Sequence, residues 1–412
     1  MSNIDNLIVE TFERESRIVI SALLATLCDI ELAEDAVQDA LVDALKQWNE
    51  NGVPKNPGAW IMTASRRKVI DQIRRNSTRT KYLPALHALN ELERQVEVEA
   101  ETDDIPDERL KLMFTCCHPA LAQDVQVALT LQTVAGISTE AIARAFLVPV
   151  PTMAQRLVRA KRKIRDAGIP YEVPSAHNIG ERLDAVLSVI YFIFNSGYTA
   201  TQGDDLVLVD LCEEAIRLGR TLHHLLLAYD EVGEHAETLG LLSLMLLHHA
   251  RHDARTGQNG QLILLADQER AKWDQAAIAE GIALLDHALT LRQRGPFQIQ
   301  AAIAALHVES GDPAETDWRQ IALLYQGLMD FMPSSVVELN RAVAVSMAEG
   351  VEAGFALLDN IDVQGRLADY YLFHATRADF LRQMGQYAAA AIAYGKAIDT
   401  CSNDAERAFL QA

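Results

Sequence analysis

Apolar residues recur at intervals of three and four along almost the whole chain, with no sustained alternation of Val, Ile and Thr against polar residues. That period matches one face of an α-helix and not one face of a strand, so it confines the chain to helices that bury a stripe against one another. Gly 21 and Pro 12 among 412 residues are too few to break the pattern often, and Ala, Leu, Gln, Glu and Arg supply helix propensity. The expectation is an all-α protein. At roughly 100 to 200 residues per domain its length allows two to four domains.

No apolar run approaches the ~20 residues needed to span a bilayer. The start, MSNIDNLIVETFERES, is acidic and lacks the apolar core of a secretory leader. A cytoplasmic protein with no membrane role is expected. The five cysteines, Cys28, Cys116, Cys117, Cys212 and Cys401, are odd in number and scattered, which suits reduced thiols rather than a disulfide framework.

A formal charge of −20 ordinarily argues against nucleic acid, because affinity comes from neutralising phosphates. The average hides two islands. Residues 66–81 hold seven basic residues against one Asp, and residues 156–165 hold six against none; the rest of the chain, 24 basic and 56 acidic residues, carries −32. The net charge is −3 over residues 1–170 and −17 beyond, which marks a boundary near residue 170. A single basic cluster is often only a solvated helix face, but two in so acidic a chain need a common explanation.

Residues 5–27 and 32–48 read as two helices, 49–58 (NENGVPKNPG) as a loop, and AWIMTASRRKVIDQIRR (59–75) as a third helix with its cations at the far end. Residues 91–108 carry nine acids and only Arg94, a composition suited to a tether. Residues 108–170 then give four helices: one around LKLMFTCC, a break at His118-Pro119, one at 122–134, and two short ones after the Gly136-Ile137-Ser138 turn. In the last, Met153, Leu157, Ala160 and Ile164 follow at spacings of four, three and four and predict one buried stripe. Thr152, Gln155, Arg156, Arg159, Arg162 and Lys163 then face outward. Two short helices with a tight turn, the second polar and basic on its free face, form a helix-turn-helix, although Leu147 stands where many such turns have Gly. Arg and Gln near the start of such a helix read base edges, and cations farther along hold phosphates. An ordinary helical hairpin with a charged solvent face is the competing reading.

Residues 5–170 resemble the sigma-seventy class of bacterial transcription initiation factors, specifically the two-domain extracytoplasmic-function group. AEDAVQDALVDAL (33–45) looks like its polymerase-binding helix, residues 59–75 like its promoter-melting and minus-ten segment, and GISTEAIARAFLVPVPTMAQRLVRAKRKIR (136–165) like its minus-thirty-five reader. The resemblance implies a region 2-like domain (1–83), an acidic linker (84–107) and a region 4-like domain (108–170). It implies core RNA polymerase and promoter DNA as partners: Asp35, Gln38 and Asp39 on the β′ clamp helices, and region 4 on the β flap. It also implies that Trp60 packs in the domain core, that loop 49–58 captures a flipped-out minus-ten base, and that Arg66, Arg67, Lys68, Arg74 and Arg75 hold the strand backbone. Arg67 replaces the Asn frequent in the family, so base preference does not carry over there.

Beyond residue 170, ADFLRQMGQYAAAAIAYGKAI (378–398) resembles a tetratricopeptide repeat and residues 342–361 a weaker cousin. The resemblance then narrows to the subgroup with a C-terminal tetratricopeptide-like extension, taken as residues 177–412. FTCCHPAL (114–121), YFIFNSGY (191–198) and LLADQERAKWD (264–274) also resemble that subgroup. Such a helical stack offers a surface to a protein or peptide.

Two clusters raise the question of metal: Cys116, Cys117 and His118, and the i,i+4 pair His248 and His252. Neither supplies four assignable ligands, so packing is the expected role and no metal or cofactor is called for. No phosphate loop, GxSxG elbow or nucleophilic Cys with partners is present, so the sequence points to no enzyme. The alternative function is a dimeric helix-turn-helix regulator with a C-terminal sensor or interaction domain, which leaves AEDAVQDAL unexplained. A helical scaffold with merely solvated basic helices is a third.

Overall fold

The computed structural model describes residues 29–75, 105–198 except 147, 176 and 177, then 205–228, 233–255, 263–362 and 370–401, with scattered positions among 16–27, 367–368 and 407–411. Every regular element among them is helical. No helix among the described residues is long and apolar enough to cross a membrane. Most of the expected helix at 5–27 and most of the acidic linker lie outside the described residues, and the described positions among 16–27 are helical.

Helix α1 (Ile30–Asn51) starts where Asp29 accepts a hydrogen bond from Leu32 N at 3.2 Å and stops at Gly52, whose φ of 79° takes the left-handed side that favours glycine. Small residues make up most of its buried stripe, Ala33, Ala36, Ala40 and Ala44, which ends in Trp48. Helix α2 (Pro57–Arg75) has Asn56 accepting from Ala59 N at 3.0 Å and Pro in its first turn, where no intrahelical N–H is lost. It packs on α1 through Ile61, Val69, Ile70 and Ile73.

Helix α3 (Ile105–Cys116) begins three residues ahead of the expected 108, with Pro106 tolerated in its first turn. Helix α4 (Gln123–Thr130) runs on into a π turn, Leu131–Ala135, and Gly136 ends it at φ 74°. Ser138 accepts from Ala141 N at 3.2 Å to start α5 (Thr139–Ala145), and Pro149 precedes α6 (Val150–Asp166).

The remaining helices are α7 (Ile179–Tyr198), α8 (Asp205–Leu227), α9 (Ala236–His249), α10 (Gln275–Thr290), α11 (Pro296–Glu309), α12 (Trp318–Leu328), α13 (Ser335–Glu349), α14 (Val351–Asp362), α15 (Tyr371–Gln383) and α16 (Tyr387–Thr400). Chain neighbours pair: α9 with α10 and α11, α13 with α14, and α15 with α16. Helix α9 is apolar on nearly all sides and forms a core rod, buried from Thr238 to Leu247. Gly354 lets α14 close on α13, because a Cβ there would stand 2.6 Å from the Ala342 carbonyl.

Internal contacts divide the chain into two compact units, Met1–Ile193 with His224–Gly233, and Phe194–His223 with Glu234–Ala412. Residues just past 170 group with the first: Thr115 donates to Pro170 O at 3.3 Å and Arg182 to Phe114 O at 2.6 Å.

Candidate nucleic-acid interface

The face of α6 follows from its sequence. Met153, Leu157, Ala160 and Ile164 are all buried, at 0 to 4% exposure. Thr152, Gln155, Arg159 and Arg162, at spacings of three, four and three, are exposed along the other side, with Lys163 beside them. Arg159 and Arg162 make no ion pair with any described residue. Arg156 is half-buried and 3.5 Å from Asp124, and Lys163 donates to the Ala120 carbonyl oxygen. Four polar side chains therefore form one exposed stripe from the N-terminal end of the helix onward.

Two cations of the second island are turned inward. Lys161 is buried and paired with Glu34 of α1, and Arg165 lies 3.4 Å from Glu31 and 3.8 Å from Asp29. Burial pushes the Glu34 carboxyl above its usual range, with Lys161 opposing the shift. The apolar spacing gives no warning of this. Lys161 sits on the flank of the buried stripe, four residues after Leu157, where a long side chain can run along apolar surface to a partner.

On α2, Arg67 is exposed, Arg66 is half-buried, and Lys68 is held 2.7 Å from Asp43 of α1. Arg74 and Arg75 close the helix, and their side chains lie outside the described residues. Between α1 and α2 lies a cleft of about 680 Å³ lined by Asp39, Asp43, Trp60, Thr63, Arg67 and Lys68. Trp60 is a correction: it is half-exposed at the cleft, its ring 5.2 Å from that of Trp48, and Trp48 fills the core. Asp35, Gln38 and Asp39 are all exposed on α1, at spacings of three and one. Burial first, then Glu31 and Asp39, raises the Asp35 carboxyl.

The clusters that raised the question of metal do not converge on a centre. Cys116 and Cys117 are buried, and burial pushes both thiols up, Cys117 to about 12. His118 Nδ1 accepts from Ala120 N at 3.1 Å. His248 is turned inward against Tyr198 while His252 is exposed and stacks on His249. No group of three or more potential ligands gathers among the described residues.

Comparison with known proteins returns the same segments. The model of sigma-70 region 2 matches residues 11–79, the model of sigma-70 region 4 matches 111–164, and a family of unknown function, DUF6596, matches 182–289. An uncharacterized protein of Rhizobium meliloti (strain 1021) is 43% identical over 395 residues, 95% of this chain and 91% of that protein. No solved structure matches the chain. Region 2 and region 4 stand in order on the two helix pairs that carry the exposed cations, and the chain belongs to the sigma-70 family of RNA polymerase sigma factors.

Proposed function

We propose that the chain is an extracytoplasmic-function type of sigma factor that reads both the minus-ten and minus-thirty-five elements while core polymerase holds it. Asp35, Gln38 and Asp39 dock on the β′ clamp helices, and region 4 docks on the β flap. Thr152, Gln155 and Arg156 read minus-thirty-five base edges, and Arg159, Arg162 and Lys163 hold phosphates. Arg66, Arg67 and Lys68, with Arg74 and Arg75, follow the strand at the minus-ten element beside loop 49–58. Residues 177–412 form a tetratricopeptide-like stack that regulates or supports this work, with a protein or peptide as its partner. Such a factor acts by binding and needs no cofactor of its own.

One observation carries the reading. The exposed Thr152, Gln155, Arg159 and Arg162 stripe lies opposite a fully buried apolar stripe on the same short helix, the arrangement that lays a helix in a major groove.

Run-off transcription with purified core polymerase on a promoter library tests it. Promoter-specific initiation is expected. Gln155→Ala should redistribute preference among minus-thirty-five sequences by about 1–3 kcal/mol per lost bidentate contact, whereas Arg159→Ala should weaken all of them alike. Tight binding to duplex DNA as a dimer without polymerase, and no initiation, would make the chain a regulator instead. No DNA binding in either setting would leave a scaffold.

A further inference from the structure

Three segments that the sigma function leaves unused meet in the second unit: the end of YFIFNSGY, the LLHHARHD stretch and LLADQERAKWD. Arg251, only 8% exposed, donates through Nη2 to Tyr198 Oη at 3.1 Å and to His248 Nδ1 at 3.0 Å. Tyr198 Oη and His248 Nδ1 are themselves 3.2 Å apart. Arg255 lies over the Tyr198 ring at 3.6 Å and donates to the Tyr198 carbonyl at 2.9 Å. Arg270 lies over the Trp273 ring at 4.5 Å and donates to the carbonyls of His307 and Ser310. Asp274 N donates to Ala250 O at 2.8 Å, which ties the Trp273 segment to the end of α9.

Every partner in this set is neutral: a phenol, an imidazole, two rings and backbone carbonyls. No carboxylate lies within ion-pair distance of Arg251, Arg255 or Arg270 among the described residues. Elsewhere in the same unit arginines find acids readily, as Arg220 does with Glu280 and Arg377 with Asp359. Two buried donors in the cluster meet no acceptor: Arg251 Nε, and Trp273 Nε1 on a side chain only 4% exposed. A buried guanidinium without a counter-charge is costly, and unfilled N–H groups add to the cost. Burial, with Arg255 and Arg270 as like-charged neighbours, already lowers the Arg251 pKa. The two histidines, His248 and His307, add no further positive charge, since burial and the arginines hold both on the neutral side.

We propose that this cluster binds an oxyanion, a phosphate or carboxylate group carried by a small molecule, with Arg251, Arg255 and Trp273 as donors and Arg270 as a positioning charge. The extension then carries a ligand site of its own, within the segment matched by the family of unknown function. Guanidinium groups present paired donors that match both kinds of oxyanion. The inference stands apart from promoter reading, and its test needs neither polymerase nor DNA.

The full-length protein is titrated with inorganic phosphate and, separately, with succinate, each against sodium chloride at matched ionic strength, by thermal unfolding and calorimetry. A saturable rise in Tm on the order of 5 °C is expected at a hundredfold excess over Kd. Arg251→Gln should weaken binding at least tenfold, and Arg319→Gln, an exposed arginine outside the cluster, should leave it unchanged. If Arg251→Gln does not fold, Trp273→Phe decides: weaker binding supports the site and unchanged binding overturns it. A response to phosphate alone or to succinate alone assigns the ligand class. No saturable response to either, or the same response in Arg251→Gln, overturns the proposal.

Discussion

At the scale of single residues, the buried stripe of α6 was legible because a helix repeats every 3.6 residues and four apolar side chains fell on that period. Lys161 was not legible. Its neighbours are cationic and exposed, and its partner Glu34 lies 127 residues earlier in the chain, a separation no local pattern encodes. Histidine gives the same lesson. His248 and His252 share a helical spacing, yet one is half-buried in a cationic cluster and the other faces solvent. The half-buried imidazoles set a pH dependence. Burial first, then Arg251 and Arg270, lowers His307 from 6.5 to about 4. An unfolded chain takes up this proton below about 6.5 and the native one only near 4, so stability is fully present above that window and falls as pH drops through it. Denaturation midpoints in a phosphate-free buffer should show the second unit losing about 2 kcal/mol from this residue between pH 7 and pH 5. His307→Gln should remove that share of the slope, and an unchanged slope would show that His307 does not titrate as placed.

Helices were the best-predicted elements, with Ser138 before α5 and Pro149 before α6 marking starts in the sequence, whereas α1 runs on to Asn51 and α2 begins at Pro57, both inside the expected loop 49–58. The contact between α6 and α1 came from tertiary structure alone. Lys161 joins Glu34, and Arg165 joins Glu31 and Asp29, so the basic end of one helix rests on the acidic start of the other. Removing one partner strands the other. Lys161→Ala should destabilise the first unit by about 2 kcal/mol, below the usual cost of breaking a fully buried pair because the Glu34 side chain keeps 22% exposure. The double variant Lys161→Met with Glu34→Leu should recover most of the loss in the same denaturation assay. If Lys161→Ala and the double variant match wild type, the contact contributes nothing in solution.

Across the whole molecule, charge governs behaviour toward DNA. The chain carries −20 overall, so the free protein should bind promoter DNA weakly until polymerase holds its basic faces in register. Counting the islands from sequence overstates the cations at hand, since Lys161, Arg165 and Lys68 are engaged by acids within the first unit. With about four phosphates neutralised, holoenzyme affinity should fall on the order of 10²-fold between 50 and 200 mM salt, measured by filter binding or anisotropy. A drop of 10⁴-fold would mean that those pairs open on DNA. The sequence by itself determined that the described chain is helical, which face of α6 is buried, and that two basic segments stand out from an acidic chain, because period and charge are local properties. Tertiary structure alone decided which cations are free, why Trp60 borders a cleft while Trp48 fills the core, and that Arg251 and Arg255 close on Tyr198 from a distant segment. Each of those outcomes depends on partners brought together only when helices far apart in sequence pack.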